Sequence, residues 1–166
     1  MKMISKKLEI DVDSDSAEGL GALDVGKLEK CLEYVWNYLP STMEKLERCR
    51  FSLSLVDKEY IKDVNGKYRG FDEPTDVLSF PLWEEEGVFV PPNHLPVVEL
   101  GDVLVCPEVV KENAENSGNR YGEELLLVVI HGFLHLIGLD HRDEKEREFM
   151  WSLQNKLIDK YKKITS

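Results

Sequence analysis

The sequence predicts an α/β (α+β) fold, with a small mixed sheet of four strands and about five helices. Short segments with the period-two alternation of strands are interleaved with longer segments whose apolar residues recur at helical spacing. One helical segment, 121–137, contains a run that is apolar on every side, as expected of a helix buried at the centre of a domain.

The size and composition of the chain predict a single domain over residues 1–166, because 166 residues with 42% hydrophobic content can build one core. No apolar run reaches the roughly 18 residues that a membrane helix needs, so no membrane association is expected. The three cysteines are far apart in sequence and lack a paired spacing, which is typical of reduced thiols. We therefore expect a cytoplasmic protein.

The first third of the chain predicts a β-α-β unit. Apolar and acidic residues alternate over 8–12, and apolar residues alternate with serines over 51–55, so both segments are expected to be strands. Between them, apolar residues recur at helical spacing from 28 to 39, with Asp24 as the expected N-cap and Pro40 as the expected end.

The middle of the chain predicts a short helix over 57–64, a turn at Asn65-Gly66 and a loop over 67–75 that leads into a third strand at 77–82. The stretch 83–96 contains three prolines, which disfavour regular pairing, so an exposed connection is expected there.

The last part of the chain predicts a fourth strand over 98–106. Because no helix separates it from the third strand, the two are expected to pair antiparallel. Pro107 is expected to open a helix, since proline is favoured at the first helical position. The buried helix 121–137 follows, and an amphipathic helix over about 143–162 completes the fold.

Three of the four histidines lie within eleven residues, at positions 131, 135 and 141. On the central helix, His131 and His135 would stand one turn apart on the same face. Gly138 can adopt the left-handed conformation that ends a helix and so return His141 to the same point. Three imidazoles with a free fourth position are typical of a catalytic zinc site. A hydrogen-bonded histidine cluster, or a purely structural metal, is the competing interpretation, and His94 is expected to be exposed and uninvolved.

This spacing is shared with the metzincin peptidases, in which a metal makes a bound water nucleophilic by lowering its pKa toward ~7. In those enzymes the residue after the first histidine is a glutamate that acts as the general base, whereas this chain has Gly132. Peptidase activity is therefore disfavoured. A glycine inside a helix is unfavourable by about 1 kcal/mol relative to alanine, so a close neighbour is expected at Gly132, with a strand of the sheet favoured over a substrate.

Net charge limits how the chain could bind nucleic acid. A formal charge of −11 argues against a broad basic surface, from which non-specific affinity for phosphates largely comes. Any nucleic-acid contact is therefore expected to be local, through a metal and a few placed cations, or to depend on a partner that delivers the substrate.

Three motifs follow one another in the second half of the chain: 68–81 (YRGFDEPTDVLSFP), Leu100-Gly101-Asp102 and 131–141 (HGFLHLIGLDH). Together they resemble the YbeY family of bacterial rRNA-maturation endoribonucleases over about residues 51–160. The resemblance implies an enzyme that depends on one divalent ion, expected to be zinc, and that acts on the precursor of 16S rRNA in 3′-end maturation and ribosome quality control. Leu139 stands where the family commonly has tyrosine.

By position, the resemblance implies that His131, His135 and His141 are the metal ligands and that Arg69 is the functional arginine. A guanidinium beside the metal could hold two phosphate oxygens and counter charge developing on a phosphodiester; the alternative for Arg69 is a surface ion pair with Asp72 or Glu73. Asp140 could accept a hydrogen bond from a ligand imidazole, or it could cap the following helix.

The leading hypothesis is therefore cleavage of single-stranded RNA, by a metal-bound hydroxide or by the RNA's own 2′-hydroxyl assisted by the metal. A second hypothesis is a ribosome-assembly factor with a mainly structural metal, which would bind the ribosome or small-subunit proteins. A third is a peptidase-like hydrolase without the usual glutamate base.

Overall fold

Alternation of apolar and polar residues builds a four-stranded mixed sheet with one face turned to the core. The computed structural model describes residues 6–13, 15–16, 18–93 and 95–164, so His94 lies outside the described residues. The sheet has the order β1-β2-β6-β3. Its strands are β1 (Lys7–Val12), β2 (Arg48–Leu55), β3 (Val77–Pro81) and β6 (Val98–Val105).

Strand directions agree with the expected mixed sheet. β1 pairs parallel with β2, and β2 pairs parallel with β6. β3 pairs antiparallel with β6, which confirms the direction predicted for the third and fourth strands. Along β2, Phe51 and Leu53 are fully buried, whereas Arg50 is directed outward and pairs with Glu99 of β6.

Helices pack against both faces of the sheet. In the described part of the chain the α-helical segments are α1 (Val25–Leu32), α2 (Val35–Tyr38), α3 (Pro40–Met43), α4 (Lys58–Arg69), α5 (Pro107–Ser117), α6 (Tyr121–Leu136) and α7 (Glu144–Lys163). Pro107 opens α5 as predicted. None of the described helices combines the length and the apolar character needed to cross a membrane.

The helix predicted over 28–39 is wrong in its extent, because the segment is divided between α1 and α2. Asp24 caps α1 as expected, and its carboxylate accepts a hydrogen bond from the backbone N–H of Lys27. Leu39 leaves the helical region at φ −131° and ψ 59°, since the residue before a proline is disfavoured in the helical conformation. The helical segment thus ends before Pro40 as predicted, and Pro40 itself opens the short α3.

The turn predicted at Asn65-Gly66 is also wrong, since α4 continues through both residues to Arg69. The side chain of Asn65 is buried, and its amide donates a hydrogen bond to the carbonyl of Glu73 at 2.9 Å. This contact holds the helix and the following loop together. Gly70 ends the helix with φ 77°, a conformation in which glycine is unstrained.

The connection 83–96 is more regular than predicted. β4 (Glu84–Glu85) and β5 (Val88–Phe89) form a hairpin whose two turn residues, Glu86 and Gly87, have φ 51° and 80°. Two-residue hairpin turns favour such positive φ values. The prolines that argued against pairing all follow β5 in sequence, so they do not interrupt the hairpin.

α6 is the centre of the core, as the sequence predicts. Phe133 is fully buried and packs on Phe51 of β2 with ring centroids 5.4 Å apart. A smaller cluster of Ile61, Leu78 and Cys106 fixes α4 against the other face of the sheet. α4 and α6 therefore lie on opposite sides of the edge strand β3.

Candidate metal centre

α6 supplies two histidines to the site from its last turns. Because His131 and His135 are four residues apart, their rings meet on one face, with Nε2 of one 2.9 Å from Nε2 of the other. The ring centroids are 4.5 Å apart. Both side chains are partly buried, since the rest of the helix around them is packed in the core.

Gly138 turns the chain so that His141 reaches the same place. The N–H groups of Gly138 and Leu139 donate to the carbonyls of His135 and Leu134, which is the Schellman arrangement. This arrangement needs a left-handed residue, and Gly138 has φ 96°. The ring of His141 then lies 5.8 Å from that of His131 and 5.4 Å from that of His135.

A buried glutamine holds the first imidazole. Nδ1 of His131 lies 2.6 Å from Oε1 of Gln154 on α7, and Gln154 is 5% exposed. Because the amide oxygen can only accept, Nδ1 carries the proton and Nε2 keeps its lone pair, directed at His135.

The two helical imidazoles are neutral at neutral pH. Burial is the main cause that lowers the pKa of His131, and burial followed by the neighbouring His131 lowers the pKa of His135 to about 4. A neutral imidazole is the form that binds a metal ion. The buried environment thus keeps both side chains ready for a cation without competition from protons.

Asp140 lies beside the third histidine. Its Oδ1 accepts hydrogen bonds from the backbone N–H of His141 at 2.8 Å and from Nδ1 of His141 at 3.1 Å, while Oδ2 faces Nε of Arg142 at 3.4 Å. Partial burial acts to raise the pKa of Asp140, but the hydrogen bonds from His141 outweigh it and the pKa is lowered. Helix capping is not its role, because Asp143 caps α7.

The donor set fits a divalent cation. Ligand atoms of His135, Asp140 and His141 lie within 4.8 Å of one another, and Nε2 of His131 adjoins this group through His135. Imidazole and carboxylate are the ligands that zinc uses in catalytic sites. Asp140 belongs to this group of possible donors, so the set of three imidazoles stays a prediction.

An open cleft of about 530 Å³ connects the histidines with Arg69. It runs along the edge strand β3, where Asp76 and Ser79 line it. Because α4 extends past the predicted turn, Arg69 lies at the end of a helix, with its guanidinium 5.4 Å from the ring centroid of Phe71. Among the ion pairs formed by the described residues none involves Arg69, so the expected alternative of a pair with Asp72 or Glu73 is absent.

Gly132 faces the sheet and not the cleft. A Cβ atom placed there would lie 2.8 Å from Cγ1 of Val103 and 3.1 Å from Cγ2 of Val77, and its carbonyl accepts a hydrogen bond from Ser79 at 2.8 Å. The close neighbour expected at this glycine is therefore the sheet. A glutamate at position 132 could not fit, so the general base of the peptidase mechanism has no place here.

Two residues of the cleft, Gln154 and Trp151, were not predicted from the sequence. Gln154 lies among the apolar residues of the amphipathic stripe of α7, where a buried polar side chain is a detectable signal of a partner. Trp151 lines the cleft and is 59% exposed, but nothing in the local pattern distinguishes it from a core residue.

Three histidines and an arginine therefore line one open cleft of this mixed α/β fold. The family model described as Endoribonuclease YbeY matches residues 15–162. The chain belongs to the Endoribonuclease YbeY family. The prediction of an endoribonuclease is thereby confirmed at the level of the family.

Individual relatives agree with this assignment. The Endoribonuclease YbeY of Bacillus pumilus is 36% identical over 151 residues, covering 89% of this chain and 93% of that protein. The Endoribonuclease YbeY of Thermotoga maritima is 38% identical over 139 residues, covering 82% and 85% of the two chains. A solution structure of a Thermotoga maritima protein matches with a TM-score of 0.57 and 33% identity, over 93% of this chain and 88% of the other.

Proposed function

We propose that this protein is a metal-dependent endoribonuclease that cuts single-stranded RNA, with one divalent ion, zinc, held by His131, His135 and His141. One observation carries the proposal: the three imidazoles and Arg69 line the same cleft. An ion bound there would act as a Lewis acid toward the phosphodiester and lower the pKa of a bound water.

Each residue of the site has a defined task in this proposal. Gln154 keeps the Nε2 lone pair of His131 directed into the site, and Asp140 orients the ring of His141 through its Nδ1. Arg69 takes two oxygens of the scissile phosphate and stabilises the charge that develops on it. Arg69 is at the end of α4, whereas His131 and His135 are on α6, so the arginine and the histidines would contact the phosphate from different helices.

We further propose that the substrate is the precursor of 16S rRNA near its 3′ end, cut in the cytoplasm during ribosome maturation and quality control, by a single domain spanning residues 1–166. Family resemblance supports this choice of RNA. The net charge of −11 supports a partner, the ribosome or small-subunit proteins, that presents the RNA to the cleft.

The ends of the cleaved RNA distinguish two nucleophiles. Attack by the 2′-hydroxyl leaves a 2′,3′-cyclic phosphate, whereas attack by water leaves a 5′-phosphate on the downstream fragment. In both routes Arg69 would hold the phosphate in the same way. The ends of the product therefore report the nucleophile and not the position of the RNA.

The test combines metal analysis of the purified protein with cleavage of a labelled single-stranded RNA, with and without a chelator. We expect about one divalent ion per chain, cleavage that stops with chelator, and at least a 100-fold loss in His135→Ala, since loss of a ligand should exceed the effect of losing an outer partner. Arg69→Ala should retain the ion and lose cleavage. Equal cleavage by wild type and by His135→Ala prepared identically would reveal a contaminating nuclease and contradict the proposal.

A further inference from the structure

The charges of the cleft do not favour RNA binding through phosphates alone. Of the described residues that line it, Arg69 is the only lysine or arginine, and it shares the cleft with four acidic residues, Asp76, Glu84, Glu124 and Asp140. Attraction between a cation and a phosphate is therefore largely offset by nearby negative charge. The divalent ion of the proposed function would add attraction for the one phosphate at the histidines, but the base next to that phosphate needs a separate contact.

An exposed tryptophan stands at this cleft. Trp151 is 59% exposed on α7, whereas Met150 and Leu153, its neighbours on the same helix, are 1% and 4% exposed. A tryptophan buries more apolar area than most other side chains, so leaving one in water forgoes a large stabilisation. Its ring is thus available to a ligand and is not needed by the core.

The position of Trp151 relates it directly to the histidine cluster. It precedes Gln154 by three residues, so the two side chains are neighbours on the helix surface, and Gln154 bonds to His131. Trp151 and His131 both line the cleft. A nucleotide adjoining a phosphate at the histidines would have its base within reach of the indole.

We propose that Trp151 is a specificity-determining residue on which an unpaired base of the RNA stacks, next to the phosphate that Arg69 holds. This inference rests on the proposed function and deepens it. Stacking on an aromatic ring accepts every base and is insensitive to the acidic surroundings. In a duplex both faces of each base are already covered by its neighbours, so Trp151 selects single strands.

The test measures binding without cleavage. Chelator-treated protein is titrated into a fluorescently labelled single-stranded RNA, and the dissociation constant is read from anisotropy. We expect Trp151→Ala to weaken binding by about 5- to 150-fold, the range for loss of one stacked base. Trp151→Phe should recover most of the affinity, and Trp151→Leu, which is apolar but not aromatic, should not.

Phe149→Ala is the matched control. Phe149 is 53% exposed on the same helix and lines an adjoining groove but not the cleft itself, so its removal should leave the dissociation constant unchanged. In cleavage assays with metal, Trp151→Ala should raise KM by the same factor and change kcat less than about threefold, because binding energy shared by ground and transition states affects KM alone. If Trp151 only stabilised the fold, Trp151→Ala would not raise KM while leaving kcat nearly unchanged.

Salt dependence provides a second readout. If Arg69 makes the one phosphate contact, the logarithm of the affinity should fall with the logarithm of salt with a slope of about −0.7. Equal affinities of Trp151→Ala and wild type, or equal rescue by leucine and phenylalanine, would overturn the inference and leave the nuclease intact. Absence of cleavage by wild type, with binding still lost in Trp151→Ala, would instead contradict the proposed function alone.

Discussion

The two halves of the histidine cluster are built differently. His131 and His135 lie on the central helix, which packs against the sheet through Gly132, and a buried glutamine fixes the first ring. His141 lies in an exposed turn, and its ring is oriented by Asp140, a neighbour in sequence. The buried half is determined by packing, and the exposed half by local turn geometry. The difference predicts that perturbations of the buried half have the larger effects.

The largest expected effect is on the pH dependence of folding in the chelator-treated protein. Burial lowers the pKa of His135 to about 4, below the ordinary 6.5, so the unfolded chain binds a proton in this range and the folded protein does not. This contribution to stability is complete above pH 6.5 and is lost as the pH falls toward 4.

Allowing for partial exposure of the ring, we expect the free energy of unfolding to fall by about 2 kcal/mol from this group between pH 7 and pH 4. Urea titrations of wild type and His135→Gln at several pH values show it as the difference between the two pH profiles. Parallel pH profiles for the two proteins would show that His135 is not held neutral by its surroundings.

The second effect concerns the packing of α6 on the sheet. Gly132→Ala places a methyl group 2.8 Å from Cγ1 of Val103, closer than real contacts allow, so the valine side chain or the helix must shift. We expect the free energy of unfolding to fall by about 1–2 kcal/mol, as is usual for overpacking.

Gly122→Ala on the same helix is the control for this change. A methyl group there meets the carbonyl oxygen of Ala22 at an ordinary 3.5 Å, so the higher helix propensity of alanine should stabilise the protein by up to about 0.5 kcal/mol. Thermal unfolding of both variants checks the opposite signs. A stabilised Gly132→Ala protein would mean that the sheet leaves more room at this position than the structure shows.

The smallest effects come from the two side chains that orient imidazoles. Gln154→Leu removes the acceptor of Nδ1 of His131, and we expect metal affinity to fall about tenfold, within the range for such outer partners. Asp140→Asn keeps an oxygen that can accept from His141 in an exposed turn, so a loss of less than about threefold is expected.

Competition with a chromophoric chelator measures both affinities. Asn155→Leu, an exposed position on α7 next to Gln154, serves as the control and should bind metal like the wild type. If Asp140→Asn lost more metal affinity than Gln154→Leu, the carboxylate of Asp140 would be acting as a ligand. The prediction that changes in the buried half have the larger effect on metal affinity would then be wrong.

Local sequence patterns predicted much of the fold. The four strands of the main sheet, the N-cap at Asp24 and the helix start at Pro107 depend on residues close in sequence, and all were predicted, as was the antiparallel pair. The hairpin in 83–96 and the full length of α4 were missed. The hairpin is closed by two turn residues with positive φ, and the buried amide of Asn65 donates to the carbonyl of Glu73 from the part of α4 that was predicted as a turn.

The sequence by itself determined which imidazoles can meet. The spacing of His131 and His135 fixes their separation on any helix, and Gly138 provides the backbone conformation that returns His141, because both effects act within a few residues. Only the tertiary structure decided that Gln154 supports His131 and that Arg69 and Trp151 line the same cleft. These contacts join separate segments of the chain, and which segments become neighbours depends on packing around the sheet, which no local pattern encodes.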